Sequence, residues 1–318
     1  MLNYCIKRIY SAVIVVIVVS IITFLMLSMV SGNAAILALG TDATPEQLAA
    51  LEHEMGLDLP WYLQYFNWVK GLVRLDFGSS MLYGTDVLTL IIQRLPVTLS
   101  LALFSMLMSL TVSFILGTIS AVRKGGIVDI ICRSIMQLGT TIPGFWLSII
   151  FIIYIALRSP VFPISGFVSP SESLEGYLAS IFLPSLVLAI AETGSMLRAV
   201  RTSMLQSLNQ DYIIMAKVQG LPRWKIYIKY GLRGALAAPL NVAGLKFARL
   251  LGGTTIVESV FSLPGLGRLV LVAVEQRDIF LLQGTAMFIT ASVVLISLAV
   301  DIITALMNPR MRLEGEQS

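Results

Sequence analysis

The sequence predicts an all-α integral membrane protein with six transmembrane helices and both termini in the cytoplasm. Three observations predict it. The 318 residues are 57% hydrophobic and 13% charged, with a mean hydropathy of +0.87, against roughly 45–50% apolar and about 25% charged in a soluble domain. Six apolar runs are each long enough to cross a bilayer core of about 30 Å at about 1.5 Å per helical residue. Lysine and arginine fall unevenly between the two sets of loops that those runs define. Helices follow because each backbone group in lipid must be paired within its own segment, and the alternating ten-residue pattern of a membrane barrel is not seen.

The chain, 1–318, reads as a single transmembrane domain, with spans at about 9–29, 98–121, 130–157, 181–200, 236–257 and 280–307. The first run follows Lys7 and Arg8 and exceeds the roughly 7–15 apolar residues of a signal peptide, so it is expected to stay as an uncleaved span. The loop at 31–96 comes next, on the outer side. In it Thr44-Pro45-Glu46-Gln47 has the form of a helix start: a capping residue, a proline in the first turn, then an acid. Leu48, Leu51 and Met55 follow at helical spacing and Gly56 ends the run. The aromatics Trp61, Tyr62, Tyr65, Phe66 and Trp68 suit a membrane interface or a packed cap on the outer mouth. His53 is the only histidine, and one histidine cannot make a metal site. A turn is expected at Val161-Phe162-Pro163-Ile164-Ser165-Gly166, and a second polar loop, 202–235, on the inner side.

With the N-terminus inside, fourteen of the 22 Lys and Arg residues lie on the inner face. Six lie outside (Lys70, Arg74, Arg94, Arg158, Arg268, Arg277), and Lys246 and Arg249 lie within the fifth span. That is the positive-inside bias of a bacterial cytoplasmic-membrane protein. It makes the net charge of +4 a statement about topology, and nucleic acid is not an expected partner. Cys5 and Cys132, the only cysteines, sit at the edges of apolar runs near basic residues and make no disulfide framework.

There is no G-x-x-x-x-G-K-[ST], so the chain brings no P-loop of its own, and there is no HExxH, Cys/His cluster or G-x-S-x-G. The ionisable residues within the spans, Glu192, Lys246, Arg249 and Asp301, form no catalytic triad or metal set. A transport subunit is expected rather than an enzyme, with no catalytic residue, no metal and no cofactor on this chain. Composition does not separate a channel, a secondary carrier and a permease driven by another subunit.

The inner loop separates them. Asn209 or Asp211 can cap a helix. Tyr212, Ala216 and Gly220 then fall four apart on one face, Lys217 lies off it, and Gly220 and Pro222 end it. A second basic, aromatic helix with Trp224, Tyr227 and Tyr230 leads into span five. Such a segment either rests on anionic lipid or offers its small Ala216–Gly220 face to a close-packed partner.

Asp211-Tyr212-Ile213-Ile214-Met215-Ala216-Lys217-Val218-Gln219-Gly220-Leu221 resembles the cytoplasmic-loop signature of ABC importer permeases, EAA followed three residues on by glycine. The matching positions are Ala216 and Gly220; Met215 and Ile214 stand where the older form has alanine and an acid. The resemblance is specifically to the peptide/nickel branch, the B-type permeases of oligopeptide, dipeptide and nickel importers. It extends through Gly56-Leu57-Asp58-Leu59-Pro60, Asp76-Phe77-Gly78-Ser79, Leu95-Pro96-Val97-Thr98-Leu99, Ile142-Pro143-Gly144-Phe145-Trp146, Arg201-Thr202-Ser203-Met204-Leu205, Glu258 to Arg268, Asp301 and Asn308-Pro309-Arg310.

That family implies a type I ABC importer permease architecture. Two six-span permeases, here a heterodimer with a second homologous chain, form a pore in the lipid bilayer. Two ATP-binding subunits use ATP and Mg beneath it, and an extracytoplasmic substrate-binding protein delivers cargo. The loop helix becomes the coupling helix, with Asp211, Tyr212, Met215, Ala216, Lys217, Gly220, Leu221 and Pro222 as its ATPase-coupling residues. Cargo is expected to be a di- or oligopeptide; nickel or a metal–chelator (metallophore) complex is the alternative, and an independent carrier or channel is the competing class.

Lys246 and Arg249 share a helical face, and a charge at the bilayer centre costs about 2.5–3.5 kcal/mol on insertion scales. Three readings stand: a salt bridge to Glu192, a positively charged path for anionic cargo, or snorkelling to an interface. Asp301 is expected to pair with Arg310 or Arg312, and Arg198 and Arg201 to anchor span four at the inner interface.

Overall fold

The computed structural model describes residues 2–30, 44–54 and 56–307. The start of the outer loop at 31–43, Met55, and the Asn308-Pro309-Arg310 segment with Arg312 lie outside the described residues. The chain folds as α1 (Leu2–Val30), α2 (Pro45–Glu54), α3 (Trp61–Val73), α4 (Val87–Val122), α5 (Ile127–Thr141), α6 (Gly144–Tyr154), α7 (Leu174–Leu208) and α8 (Asp211–Val218). A π-helical segment, Lys225–Leu232, follows, then α9 (Arg233–Ala235), α10 (Ala237–Gly253), α11 (Thr255–Val260), α12 (Leu266–Glu275) and α13 (Ile279–Met307). No strand occurs among the described residues.

Four helices, α1, α4, α7 and α13, are long and apolar enough to cross a membrane, and α5 with α6 makes a fifth if that pair counts as one span. The expected span at 130–157 is broken: α5 and α6 meet at 101°. Pro143 has no N–H and disfavours helical backbone in the residue before it, and Ile142 is extended, with ψ 123°. The expected span at 236–257 also divides, at Thr254, directly after Gly252-Gly253, leaving α10 with 17 residues. Spans two and four lie within helices of 36 and 35 residues, about 54 and 52 Å long, span two at the C-terminal end of its helix and span four near the middle. Their ends run past the apolar windows, where hydropathy carries no signal.

The most extensive contact is between α4 and α7. Ser105, Ser109 and Ser113 are fully buried at a spacing of four, and Gly117 continues the row. A Cβ at Gly117 would lie 2.8 Å from Val200 Cγ1. Small residues let two backbones approach where lipid gives no hydrophobic drive to associate. The crossing of α5 and α7 is closer still, since a Cβ at Gly194 would lie 2.6 Å from the Met136 carbonyl oxygen. Leu101, Ile181, Met196, Leu250, Phe261 and Leu263 form the main core between these helices, α10 and α11.

The first and last helices pack together, and Arg8 bonds Asp301 at 2.8 Å. This partner comes from the far end of the chain; the expected partners of Asp301, Arg310 and Arg312, lie outside the described residues. In the first loop Thr44 and Gln47 form a reciprocal capping box, each backbone N–H donating to the other's side chain at 3.1 and 3.3 Å. Gly56, at φ 66°, closes α2. On α3, Tyr65 stacks edge-on to Phe24 of α1 and its hydroxyl lies 2.8 Å from Ser20 Oγ, while Trp61 and Phe66 stay exposed. His53 Nδ1 lies 2.7 Å from Asp58 Oδ2, which raises the histidine pKa and lowers that of the carboxyl.

Two buried carboxylates fix other segments. Glu258, fully buried, accepts from Thr98 Oγ1 and Thr254 Oγ1 at 2.7 Å and from the Arg268 N–H at 2.9 Å. Asp278 accepts from Ser80 Oγ at 2.6 Å and from the Leu82 and Leu281 N–H groups at 3.0 Å.

Candidate functional site

Helix α8 stands between the end of α7 and the π-helical segment. Its N-cap position is Gln210, with no side-chain hydrogen bond. Neither expected cap is used: Asn209 closes α7, and Asp211 lies in the first turn of α8, where the helix dipole favours a carboxylate. Its C-terminus is the expected one. Gly220 takes φ 71°, its N–H donates to the Lys217 carbonyl at 3.0 Å, and the Leu221 N–H reaches back to the Ala216 carbonyl at 3.2 Å. This is a Schellman ending, which needs a left-handed residue and favours glycine.

Of the two small residues expected to meet a partner, Gly220 is exposed with open space beside it, but Ala216 faces inward. Ala216 is only 4% exposed and packs with Ile213, Ile226, Leu208, Leu221 and Tyr227 of this chain. The close approach that its small side chain permits is made by the chain itself. The free face instead carries Ile214, Met215 (59% exposed) and Val218 (78% exposed), flanked by Asp211 and Lys217. Contiguous exposed apolar side chains mark an interaction surface. Beside them opens a cleft of about 390 Å³ lined by Asp211, Tyr212, Met215, Ala216, Gln219, Leu221 and Tyr230. Ile214 and Val218 were not singled out from sequence, because apolar residues carry no distinction in so apolar a chain.

Tyr212 is half turned inward. Its hydroxyl lies 2.8 Å from Ser207 Oγ on α7, and Ser207 Oγ donates to the Gly231 carbonyl at 2.8 Å. The segment after Pro222 is helical as expected, but it is π-wound from Lys225 to Leu232, a rare form that clusters at functional sites.

Six residues before Ser207, Arg201 meets Asp129. Its Nε and Nη2 reach the two carboxylate oxygens at 2.7 and 2.9 Å, and Ser120 Oγ and the Gly125 N–H donate to the same carboxylate at 2.6 and 3.0 Å. Asp129 is buried. Arg201 is therefore more than an interfacial anchor: it ties α7 to the ends of α4 and α5. Arg198, by contrast, is exposed.

Within the spans, Lys246 on α10 is ion-paired with Glu192 on α7, both about one-fifth exposed. Arg249, one turn on, is exposed and has no ion pair among the described residues. Leu245, one turn before it on the same helix, is exposed too. Among the described residues no three His, Cys, Asp or Glu side chains are grouped as for a metal.

A bundle of long apolar helices with charged groups inside and an exposed apolar helix between α7 and α10 defines a membrane-transport permease. The chain belongs to the family described as binding-protein-dependent transport system inner membrane component, whose model matches residues 113–313. The family's N-terminal membrane component matches residues 1–102. It is 36% identical over 306 residues to a Brucella abortus (strain 2308) protein named as a peptide transport system permease, covering 96% of this chain and 98% of that one. It is 31% identical over 314 residues to the dipeptide transport system permease protein DppB of Lactococcus lactis, covering 98% and 100%. It is 32% identical over 316 residues to the metal-staphylopine import system permease protein CntB of Staphylococcus aureus (strain Mu50), covering 98% and 99%. The fold is similar to a chain of the MetNI methionine ABC transporter in an inward-facing form, with TM-score 0.55, 19% identity, and coverage of 69% of this chain and 96% of that one. The chain is thus the non-catalytic membrane subunit of an ABC importer, an inner-membrane protein that works with an ATPase, and the reading as an independent carrier or channel is set aside.

Proposed function

We propose that this chain crosses the membrane six times with both termini inside, and pairs with a second homologous permease to form a heterodimeric pore. Two ATP-binding subunits dock beneath that pore and use ATP and Mg, and an extracytoplasmic binding protein loads it. Helix α8 is the docking element. The observation that carries this reading is the apolar face of Ile214, Met215 and Val218, exposed on a helix whose other side is packed against its own chain. A lipid-resting helix would be expected to carry cations around such a face; here Asp211 borders it as well as Lys217.

The cargo is a di- or oligopeptide, the reading supported by relatives named for peptide and dipeptide transport. A metal–chelator complex is the second reading, supported by the relative named for metal-staphylopine import. Both cargo classes carry carboxylates, and Arg249 is the group placed to meet one. Lys246 is neutralised by Glu192, whereas Arg249 is a charge that lipid would not hold and that must face water, cargo or protein.

The reading is tested by reconstituting the permease pair with its ATPases and binding protein in liposomes and following ATP-dependent uptake of labelled peptides and of metal–chelator complexes. Uptake of either identifies the cargo class. ATP-independent uptake by the permease pair alone would refute the reading.

A further inference from the structure

We infer that Ser207 is the positioning residue that makes α8, the end of α7 and the π-helical segment leading to α10 move as one body, so that force applied at α8 reaches the two helices carrying Glu192 and Lys246. The inference rests on the reading of α8 as the docking element.

The geometry is a three-group relay. The Gly231 carbonyl can only accept, so the single Ser207 proton is committed to it, at 2.8 Å. The 2.8 Å contact between Ser207 Oγ and the Tyr212 hydroxyl is then donated by tyrosine. One buried hydroxyl thereby joins the first turn of α8, the last turn of α7 and the end of the π-helical segment. The fit around it is tight. A Cβ at Gly231 would lie 3.0 Å from Leu208 Cδ2, and one at Gly234 would run into the Tyr212 hydroxyl and lie 2.6 Å from Ser207 Oγ. Gly234 is therefore the open space that lets the tyrosine reach the serine.

The relay ends where the backbone returns from π to α winding, at Leu232–Arg233. From there the chain continues through α9 into α10 and Lys246, while Ser207 stands 15 residues along α7 from Glu192, about 22 Å of helix. The relay joins α7 to the π-helical segment that leads through α9 to α10, and the Glu192–Lys246 ion pair joins α7 to α10 itself further up. Helix α7 and the chain leading into α10 are thus tied at two levels. The apolar packing around Ala216 holds α8 in place, but van der Waals contact alone allows sliding; directional bonds to both neighbours do not.

The test uses the complete reconstituted importer and reads ATP hydrolysed per cargo molecule moved, with ATPase co-purification measured on the same preparations. A neutral hydrogen bond shifts an equilibrium by about fivefold. Ser207→Ala should keep the ATPases bound and raise the ATP-to-cargo ratio by about fivefold. Tyr212→Phe, which keeps the ring and the Ser207–Gly231 bond, should raise it by no more than Ser207→Ala does, and the double variant no further than Ser207→Ala, because the serine variant already deletes both bonds. Gly234→Ala should act as Tyr212→Phe does, by displacing the tyrosine hydroxyl without removing it. A purely structural role would lower hydrolysis and uptake together and leave the ratio unchanged; an unchanged ratio in Ser207→Ala and Tyr212→Phe overturns the inference. The underlying reading fails separately, if Val218→Arg, on the free face, keeps its ATPases.

Discussion

Arg201 and Ser207 lie less than two turns apart on α7, and each joins that helix to a different neighbour. At Arg201 the joint is ionic and buried: two charged hydrogen bonds to Asp129, with Ser120 and the Gly125 N–H filling the rest of the carboxylate. At Ser207 the joint is neutral, one hydroxyl between a tyrosine and a backbone carbonyl. Charged, multiply bonded groups in a low-dielectric setting are expensive to separate, while a neutral hydrogen bond is worth about 1 kcal/mol net. The first joint holds α7 fixed against α4 and α5. The second ties the segment 211–234 to the end of α7, so that a pull on α8 is carried to that helix. The same helix end thus has an anchor and a handle.

That contrast can be broken from its strong side first. Asp129→Ala strands the Arg201 guanidinium and should destabilise the protein by about 3–5 kcal/mol, seen as loss of folded protein in membranes and an earlier thermal transition in nanodiscs. Ser207→Ala should cost far less stability and show itself in coupling. If both variants unfold the protein equally, the distinction between anchor and handle is wrong.

A milder test concerns the upper tie. Lys246→Met leaves Glu192 without its partner and should cost roughly 1–2 kcal/mol, below the full cost of a broken buried pair because both groups are partly exposed. Pairing it with Glu192→Met should recover most of that loss in the same melting assay. Arg249→Met should leave stability unchanged and lower uptake of carboxylate-bearing cargo. Unchanged uptake in both Lys246→Met and Arg249→Met would remove the path from the account.

The smallest effect lies far from both joints. His53 should titrate above the ordinary histidine range, and Asp58→Asn should bring it back, read by NMR of the imidazole. A raised folded-state pKa means that the pair steadies the loop below about pH 6.5 and releases it as the pH rises through the raised value. Both groups are exposed, so the gain is slight.

Much of this was legible in the sequence. The apolar runs at 9–29, 98–121, 181–200 and 280–307 fall within single helices, Thr44-Pro45-Glu46-Gln47 gave a real capping box, and Gly220 with Pro222 gave the end of α8. The serine row at 105, 109 and 113 with Gly117 was equally open to reading, since its spacing of four is the signature of close helix packing. Other features were closed to it. A hydropathy window reads straight through Ile142-Pro143, because the residues on both sides are apolar. Asp129 and Arg201 are 72 residues apart, and counted as topology markers their charges do not show that they meet. Asp301 and Arg8 are further apart still. The sequence placed Ala216 and Gly220 on one side of α8 but did not show that Ala216 would face its own chain while Gly220 stays exposed. The inward direction of Ala216 is set by Ile213 and Ile226, which have nowhere else to be buried.

In the proposed docking, energy for transport enters through the free face of α8. Val218 is 78% exposed there, so Val218→Arg costs the chain's own fold little. Co-purification of the ATPase subunits with the assembled permease pair tests it most directly. The account predicts that this variant inserts and pairs normally but loses its ATPases by about tenfold or more in affinity, as for a charge placed in an apolar contact. Full retention of the ATPases, with uptake at the unmodified rate, would contradict it.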